Sequence, residues 1–485
     1  MNHLLQSQLQ SYASSGLYPL HMPGHKRRVV PAPGLPAGWD MTEVPGVDDL
    51  HDADGILADA MARTAALWGA KRTWYLVNGS TCGILAAIRA AVVSSGRTTV
   101  ICARNCHKSV YHAIELNRLT AHWLVPPVDP AFGIYGSITP AMVADALRAC
   151  PDAAAVILTS PTYEGVLSDL AAIAALCHAA NVPLIVDEAH GAHYLPLAAA
   201  HGWQGGAIAA GADVIIQSPH KTLPSLTQTA LLHAGGKLVP LPQVARQTGI
   251  FQSSSPSYLL MASMDGCVRL LEEKGEALFA AWHRRLTEFD QGIQGLRHLR
   301  VLGHGREAGA HYPGIFALDP AKILISTQGT GLTGVALRDL LRREYRIEVE
   351  MALDHYVLAM TGLGTDDAMP ARLAQALLAI DETCASSEET PSVLAVPGAL
   401  PPRRCSLEEA AQAPGGLSFL YDAMGKVCGE YIWAYPPGIP LIAPGEEITP
   451  PLVETVEGLY RAGVRLIGTR GKPPFTTFAL GDQDG

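Results

Sequence analysis

The sequence predicts an α/β fold, with a mostly parallel sheet in a major domain and smaller C-terminal α/β domains after it. Between about residues 70 and 235, short apolar runs alternate with Ala-rich helical stretches, a pattern typical of βαβ units. The 485 residues exceed what one simple core accommodates. Hydrophobic residues make up 48% and charged residues 16%, which indicates a compact globule and excludes a disordered chain.

Charge and cysteine content narrow the partners that we expect. The net charge of −10 argues against nucleic-acid binding, which needs basic side chains for the phosphates, and it suits a small cationic substrate. The first ten residues lack the pattern of a secretory signal. The apolar run 171–186 is interrupted by His178, Asn181 and Pro183, so we expect no membrane partner. Nine cysteines without a C-x-x-C pair indicate a reducing, cytoplasmic location.

Strands of the major domain are predicted where short β-branched or apolar runs are bounded by turn residues. These runs cover residues 74–78, 98–103, 155–159, 184–186, 214–217 and 229–233. The alternation then stops, and a helical pattern runs from Tyr258 to about Gln294. A second α/β pattern comes next, with a strand at 322–326, a helix near 337–345 and a strand near 347–351.

These patterns divide the chain into five segments. Residues 1–45 form an N-terminal arm, 46–290 the major domain, 291–385 a small α/β domain, 386–414 a linker rich in Ser, Glu and Pro, and 415–485 a C-terminal subdomain. Within the last segment, a rigid turn is predicted at Tyr435-Pro436-Pro437-Gly438-Ile439-Pro440.

Polar residues follow the first predicted strand at the point where a helix starts, namely Gly79, Ser80 and Thr81. In open parallel sheets, ligands bind beyond the carboxyl ends of the strands. The free N–H groups of a helix start can hold a phosphate there, together with these two hydroxyls. An ordinary Ser/Thr helix cap explains the same residues, and for this segment alone it is the better interpretation.

The next predicted strand is followed by Asn105, Cys106, His107 and Lys108. The flat imidazole ring of His107 can stack on a flat cofactor at the same edge of the sheet. Arg104, Cys106 and His107 also suggest a metal site, but one cysteine beside one histidine is a weak signal, and core packing explains these residues better.

The strand at 184–186 runs directly into Asp187, which places a carboxylate at the sheet edge. A buried acid needs a partner. A protonated pyridine nitrogen would be one, and an ionised Asp187 would keep that ring cationic as an electron sink. Asp187, His190 and His193 offer a divalent-metal site as the alternative, which ranks second because their spacing suits a helix face and this Gly-containing turn is not obviously helical. We therefore predict no bound metal.

Lys221 follows the strand at 214–217 and lies 34 residues after Asp187, about one βαβ step. Ser218 and His220 flank it with donors suited to a phosphate. Apolar surroundings would lower its pKa toward the neutral amine that imine formation needs. A single Lys is more often a solvated surface residue. Here the possible phosphate site at 79–81, the His107 ring, Asp187 and Lys221 come after successive strands, which argues against that interpretation.

A competing signal is the segment Gly329-Thr330-Gly331-Leu332-Thr333-Gly334. It fits the G-x-G-x-x-G pattern of dinucleotide sites, and Glu348 and Glu350 come roughly 20 residues later, as such a site requires. The segment lies late in the chain, in a short second domain without the further βαβ units of a dinucleotide fold. It is therefore the weaker alternative.

Together these motifs resemble the fold type I pyridoxal-phosphate (PLP) enzymes of the ornithine/lysine/arginine decarboxylase family, in the short form without an N-terminal wing domain. The resemblance runs nearly end to end. Its motifs, in chain order, are Met22-Pro23-Gly24-His25-Lys26, Thr42-Glu43 through Val47-Asp48-Asp49-Leu50-His51, Asn78-Gly79-Ser80-Thr81, Asn105-Cys106-His107-Lys108-Ser109-Val110, Ser160-Pro161-Thr162-Tyr163, Asp187-Glu188-Ala189-His190-Gly191-Ala192-His193, Ser218-Pro219-His220-Lys221-Thr222-Leu223, Ser255-Pro256-Ser257-Tyr258 and the turn at 435–440.

The resemblance implies that Lys221 forms an imine with PLP, that Asp187 pairs with the pyridine nitrogen and that His107 stacks on the ring. The other cofactor contacts that it implies are Gly79, Ser80, Thr81, His190, Ser218 and His220. In this family the active site lies at a dimer interface. Ser254 would therefore reach the phosphate bound by the partner subunit, and a homodimer or a larger even assembly is implied.

The resemblance also implies the activity: decarboxylation of a basic L-amino acid to the corresponding amine and CO2, in polyamine metabolism, with arginine favoured over lysine or ornithine. A distal cation on the substrate needs an acid. The candidates are Glu350, Asp48 and Asp49, each of which could equally be a surface or capping carboxylate. Two alternatives stay open: an aminotransferase or aldolase on the same fold, and a catalytically silent PLP-binding protein.

Overall fold

A computed structural model describes residues 4–16, 22–23, 25–26, 34–385, 400–435 and 438–481. Residues 386–399 of the predicted linker and residues 436–437 of the predicted turn lie outside these ranges, as does Gly24 of the first motif. Among the helices described, none is both long and apolar enough to cross a membrane.

The first half of the chain builds a central sheet whose strands run mostly parallel. The order of the strands across this sheet is β1-β10-β9-β8-β6-β2-β3. The strands of this half are β1 (Arg72–Leu76), β2 (Thr99–Ala103), β3 (Thr120–Leu124), β4 (Val128–Asp129), β5 (Ile134–Tyr135), β6 (Ala153–Thr159), β7 (Val166–Leu167), β8 (Leu184–Asp187), β9 (Val214–Gln217) and β10 (Ala230–Ala234). The pairs from β9 through β3 are parallel, and β10 is antiparallel to both of its neighbours. This sheet confirms the predicted α/β class.

Helices cover both faces of the central sheet, and together with it they form the major part of the structure. They are α1 (Leu5–Ser14), α2 (Ile56–Trp68), α3 (Gly79–Ser95), α4 (Lys108–Leu116), α5 (Pro140–Ala149), α6 (Leu170–Ala179), α7 (Pro196–Ala199), α8 (Pro219–Thr222), α9 (Leu241–Phe251) and α10 (Tyr258–Gly292). Several start where the sequence offers a cap: Thr139 accepts from the Met142 N–H in α5, and Asp169 accepts from the Ala172 N–H in α6.

Edge strand β3 was not among the predicted strands. Its residues are exposed or half-buried apart from Leu124, because it has a neighbour on one side only. It therefore lacks the continuous apolar run of a strand in the middle of a parallel sheet. The other six strands of the central sheet were all predicted, and their observed ends differ from the predicted ones by at most two residues.

The next part of the chain forms a separate antiparallel sheet in the order β11-β13-β15-β14. Its elements are β11 (Arg300–Val301), β12 (Ala317–Leu318), β13 (Lys322–Ser326), β14 (Met351–Ala352), β15 (Tyr356–Met360), α11 (Gly334–Glu344) and α12 (Met369–Asp381). β12 leaves this sheet and pairs with β7 of the major part. The strand expected at 347–351 is shorter than predicted, because only Met351 and Ala352 pair with β15.

The antiparallel pairing of β13 also excludes the dinucleotide interpretation of the segment 329–334. That site needs a parallel βαβ unit, whereas β13 is antiparallel to both β11 and β15. The glycines serve a turn instead: Gly329 and Gly331 have φ of 76° and 71°, a backbone region that glycine enters without strain.

The C-terminal part packs onto the central sheet. It contains α13 (Leu407–Gln412), β16 (Gly415–Phe419), β17 (Ile432–Ala434), β18 (Pro440–Ile442), α14 (Pro450–Arg461), β19 (Leu466–Gly468) and β20 (Thr476–Leu480). A buried ion pair, Arg104 Nη2 to Glu446 Oε2 at 3.0 Å, joins it to the end of β2. Helix α13 begins at Leu407, inside the segment predicted as a linker, where Ser406 and Glu409 form a capping box.

Candidate active site

A cavity of about 670 Å³ opens at the carboxyl ends of β2, β6, β8 and β9. Parallel strands end at the same edge of the sheet, so residues that are far apart in sequence meet there. The residues that line it are Ser80, Asn105, His107, Thr159, Tyr163, Asp187, Ala189, His190, His220, Lys221, Thr227, Glu350, Met360, Tyr435 and Ile439. Most of the site residues singled out in the sequence are in this set.

Lys221 lies in the short helix α8, which follows β9 directly. Its Nζ is 3.0 Å from His190 Nε2. Burial lowers the pKa of Lys221 to about 8, with the positive charge of Lys322 acting in the same direction and the carboxylate of Asp187 opposing it. A lysine with this pKa supplies a neutral amine at a pH where an exposed lysine is almost fully protonated.

Asp187 is the last residue of β8 and is buried. Its Oδ1 accepts a hydrogen bond of 3.1 Å from the Ala189 N–H. Burial raises the pKa of this carboxyl group, whereas the charge of Lys221 lowers it. A cationic ring nitrogen bound next to it would stabilise the carboxylate further, because opposite charges in a buried site favour the ionised form.

His107 caps α4 and turns its ring toward the cavity. Its Nδ1 lies 2.8 Å from Ser109 Oγ and accepts from the Ser109 N–H at 3.3 Å. Burial lowers the pKa of His107 to about 3, and the charges of Lys221 and Lys108 act in the same direction. The imidazole is therefore neutral, as a ring that stacks on an aromatic cofactor should be.

Helix α3 begins at the cavity with Gly79, whose φ of 75° favours glycine. Ser80 lines the cavity, and Thr81 is exposed in the same first turn. The side chain of Asn78, at the cap position, makes no capping hydrogen bond. The N–H groups of this turn therefore have no side-chain cap from Asn78, which suits an anion.

Two residues beside Lys221 complete this end of the site. His220 Nδ1 lies 2.8 Å from the Thr229 carbonyl oxygen, which orients the ring, and His220 lines the cavity. Ser218 Oγ is buried and has no hydrogen-bond partner within the described residues. Ser218 itself is not among the residues that line the cavity.

The cavity contains polar atoms without hydrogen-bond partners, and these atoms fit PLP as the ligand. Asn105 Oδ1 and Thr159 Oγ1 line the cavity, are buried and find no hydrogen-bond partner in the described part of the chain. Buried polar atoms without partners are costly, so these oxygens indicate a ligand with polar substituents. PLP carries a phosphate, a phenolic oxygen and a ring nitrogen.

The cavity wall also carries a hydrogen-bonded pair that joins two parts of the chain. The Tyr163 hydroxyl donates to Glu350 Oε1, and both residues line the cavity. The Tyr163 ring also packs against His190, with ring centroids 4.4 Å apart. Tyr163 stood only in a family motif and was given no role from the sequence, since its partner lies 187 residues away.

Six predicted site residues are not among those that line the cavity. Gly79, Thr81 and Ser218 lie within two residues of Ser80 or His220, which do line it, whereas Asp48, Asp49 and Ser254 lie elsewhere in the chain's own fold. Asp48 Oδ2 accepts from the N–H groups of Gly55 and Leu57 at the start of α2. Asp49 accepts from the His51 N–H. Ser254 is exposed and does not line the cavity of its own chain.

A metal centre is not supported at this edge. Among the described residues, no three His, Cys, Asp or Glu side chains are grouped so as to hold a metal ion. The histidines of the Asp187 segment have other contacts. His190 faces Lys221, and His193 Nε2 lies 3.2 Å from Asp319 Oδ1.

A fold with this sheet order and this lysine–aspartate–histidine site defines the fold type I class of PLP enzymes. Solved structures with the same fold include the lysine decarboxylase LdcF of Francisella novicida, with a TM-score of 0.80 and 19% identity, covering 98% of this chain and 81% of that one. The constitutive lysine decarboxylase of Escherichia coli has a TM-score of 0.79 and 21% identity, with 98% and 82% covered.

Sequence comparison identifies the family. The sequence model of the Orn/Lys/Arg decarboxylase major domain matches residues 4–369. The arginine decarboxylase of Halalkalibacterium halodurans is 32% identical over 481 residues, which is 96% of this chain and 94% of that protein. The arginine decarboxylase of Bacillus subtilis is 30% identical over 462 residues, with 92% and 91% covered. The chain belongs to the Orn/Lys/Arg decarboxylase family, and it is a decarboxylase.

The aminotransferase alternative receives less support. An alanine–glyoxylate aminotransferase from Nostoc shares the fold with a TM-score of 0.52, at 16% identity over 68% of this chain. That likeness shows only the common fold. The decarboxylase relatives extend over nearly the whole chain, including the C-terminal part.

Proposed function

We propose that this protein is a PLP-dependent arginine decarboxylase that converts arginine to the corresponding amine and CO2, as a step in polyamine metabolism. The observation that carries the proposal is the convergence of Lys221, Asp187, His107 and Ser80 on one cavity. The choice of arginine is supported by several relatives of 30–32% identity that are named arginine decarboxylases.

The chain's own residues hold and orient the reactants. Lys221 Nζ would bind the cofactor, Asp187 would pair with its ring nitrogen and His107 would stack on its ring. When bound, PLP supplies the electron sink that takes up the electron pair left by the departing carboxylate. The buried Lys221 amine, 3.0 Å from His190 Nε2, is placed to exchange a proton with a reactant in the cavity.

The phosphate is assigned to the end of the cavity formed by the first turn of α3 and by α8. Gly79, Ser80 and Thr81 offer backbone N–H groups and hydroxyls, and Ser218 and His220 offer side chains from the segment that carries Lys221. Anion binding at a helix start needs such free donors. The described chain leaves the Ser218 hydroxyl unpaired, which supports this assignment.

Glu350 is the acid that we assign to the distal guanidinium of the substrate. It lines the cavity and is oriented by Tyr163, whereas Asp48 and Asp49 are engaged at helix starts. A guanidinium presents parallel N–H groups that match a carboxylate. Of the three candidates, Glu350 therefore has both the position and the free acceptor capacity.

Replacing Lys221 tests the cofactor assignment. Lys221→Ala should abolish the visible absorption of bound PLP and the decarboxylase activity together, because no other lysine is among the described residues that line the cavity. Purified protein would be examined by absorption spectroscopy and by CO2 release from arginine. Lys237→Ala, which changes an exposed lysine, is the control and should keep both. Persistent absorption in Lys221→Ala, with PLP linked to a different lysine, would contradict the assignment.

A substrate panel tests the reaction. We expect CO2 and the matching amine from arginine, with smaller rates from lysine and ornithine, when each is supplied with PLP and the products are separated. Amino transfer that depends on an added keto acid would replace the proposal by the aminotransferase alternative. Binding of PLP without turnover of any basic amino acid would favour the catalytically silent protein.

Glu350→Gln tests the recognition of the distal group. The charge-assisted hydrogen bonds that it removes are worth about 1.5–3 kcal/mol, so kcat/KM for arginine should fall roughly 10- to 100-fold, mostly through KM. Glu348→Gln is the matched control, since Glu348 is exposed, pairs with Arg342 and does not line the PLP cavity. Equal effects of both substitutions on KM would show that Glu350 has no specific role.

The assembly and the compartment complete the proposal. We place the active site at the interface of a homodimer, with Ser254 reaching the phosphate bound by the partner subunit. The exposure of Ser254 and its distance from its own cavity support this placement. A cytoplasmic location is supported by the nine cysteines, which are all unpaired in the structure.

A further inference from the structure

A second lysine lies behind the active site and is more deeply buried than Lys221. Lys322 is the first residue of β13, and its side chain and that of Asp319 have no exposed surface. Lys322 Nζ lies 3.3 Å from Asp319 Oδ2 and donates to the His190 carbonyl oxygen at 3.3 Å. The ammonium group therefore connects β13 of the antiparallel sheet to the loop that follows Asp187.

The second carboxylate oxygen of Asp319 completes a buried cluster. Asp319 Oδ1 lies 3.2 Å from His193 Nε2 and also accepts from the Ala321 N–H at 2.9 Å. Burial raises the pKa of Asp319, but the ammonium group of Lys322 and the contact with His193 outweigh that effect and lower it overall. The carboxylate is thus ionised and neutralises the ammonium of Lys322.

A glycine in the backbone beside this cluster leaves space for the Lys322 side chain. Gly165 has a φ of 96°, and a Cβ at this position would lie 2.8 Å from both Cβ and Cγ of Lys322. The Gly165 carbonyl accepts from the Asp319 N–H at 2.8 Å. Only glycine leaves room for the Lys322 side chain here, so the chain is built around the buried pair.

A buried ion pair needs an explanation other than stability. Desolvation of two charges offsets most of their attraction, and well-packed apolar residues often replace such pairs without loss of stability. Here the pair meets the active site at one residue: the His190 carbonyl accepts from Lys322, and the His190 ring faces Lys221 Nζ at 3.0 Å.

We propose that Lys322, neutralised by Asp319, is a positioning residue that holds the His190 backbone and thereby the contact between His190 Nε2 and Lys221 Nζ. The inference rests on the proposed role of Lys221 in binding PLP. Lys322 does not line the cavity, so the proposal extends the set of residues that act on the site. It also means that β13 helps to orient the Lys221 amine.

Several charged or titratable groups face Lys221 and would respond to the pair. They are Asp187 from β8, His190 from the following loop, His107 from α4, His220 from α8, Glu350 from the segment before β14 and Lys322 from β13. The positive charge of Lys322 favours the unprotonated form of Lys221. Removing that charge should therefore have an effect opposite in sign to removing the charge of Asp319.

The test uses the purified full-length protein loaded with PLP. The visible absorption of the bound cofactor reports the charge on the nitrogen that Lys221 supplies, so its pH midpoint can be measured for each variant. Lys322→Met removes a positive charge and should raise the midpoint by about 0.5 pH unit or more. Asp319→Asn leaves Lys322 unneutralised and should lower it. The affinity for PLP and the thermal unfolding midpoint are measured in parallel.

Arg63→Met is the matched control. Arg63 pairs with buried Asp265 between α2 and α10, and neither residue lines the cavity, so this variant should lose thermal stability and keep the pH midpoint. If Lys322→Met does not retain PLP, the direction of the Asp319→Asn shift decides. Shifts of the same sign in both variants, or no shift in either, would overturn the proposal. Absence of bound PLP in the unaltered protein would instead overturn the cofactor assignment.

Discussion

At the scale of single residues, Lys221 shows how an environment changes the chemistry of an ordinary side chain. Burial is the largest cause of its lowered pKa, while Asp187 and Glu350 oppose the change and Lys322 supports it. His107 and His190, which lie next to Lys221, stay neutral because burial and nearby positive charges lower their pKa values. The site therefore combines a reactive amine with neutral rings that accept hydrogen bonds.

The lowered pKa of Lys221 leads to a prediction about the pH dependence of PLP capture. Only the unprotonated amine attacks the aldehyde, so the rate at which cofactor-free protein captures PLP should rise about tenfold per pH unit below pH 8 and level off above it. Stopped-flow absorption between pH 6 and pH 10 would measure this. A rate that keeps rising to pH 10 would mean that Lys221 titrates like an exposed lysine.

At the scale of elements, the site is made by the ends of strands and by the residues directly after them. β8 ends in Asp187, β9 is followed at once by the helix that carries Lys221, and α3 starts beside the cavity with Gly79. The short helix α8 is held from the other side by the segment after β15. There the Leu363 N–H donates to the Thr222 carbonyl oxygen at 2.9 Å.

Gly362 tests how strictly α8 must be placed. A Cβ on this residue would lie 2.9 Å from the Thr222 carbonyl oxygen, a backbone atom that cannot turn aside. Gly362→Ala should therefore destabilise the protein by about 1–3 kcal/mol and weaken PLP binding, measured by urea unfolding and by cofactor titration. Gly364→Ala is the control, because nothing lies within 4 Å of its added Cβ. Equal behaviour of both variants would show that α8 tolerates displacement.

At the scale of the whole molecule, buried contacts join the three parts of the chain around the site. The pairing of β7 with β12 and the contact of Lys322 with His190 join the antiparallel sheet to the major part. The Arg104–Glu446 pair joins the C-terminal part. These contacts place Glu350 and Tyr435 in the wall of a cavity whose floor belongs to the central sheet.

Hybrid dimers would test the shared active site. Lys221→Ala and Ser254→Glu should each inactivate a homodimer, the second because a carboxylate repels the phosphate of the partner subunit. In a random mixture of the two chains, half of the dimers are hybrids with one intact site each, so about a quarter of the unaltered activity should return. The activity of refolded mixtures measures this. No recovery would place Ser254 outside the partner's site.

Much of the fold was predictable from local patterns. The six strands expected in the central sheet are present because buried parallel strands need apolar runs that are visible in the sequence. Edge strand β3 and the hairpin strand β15 were missed. The first is only partly buried, and a hairpin depends on a turn between residues such as Leu353 and Tyr356 that was not recognised.

For the site, the sequence predicted where several residues that follow strands would lie, although Ser218, which directly follows β9, does not line the cavity. Lys221, Asp187 and His107 meet in the structure because parallel strands end at one edge, and that rule needs no knowledge of distant contacts. The proposal of Glu350 over Asp48 and Asp49, and the role proposed for Lys322, depend on the tertiary structure. Lys322 meets His190 across 132 residues and Tyr163 meets Glu350 across 187, and no local pattern records contacts that form only when separate sheets pack together.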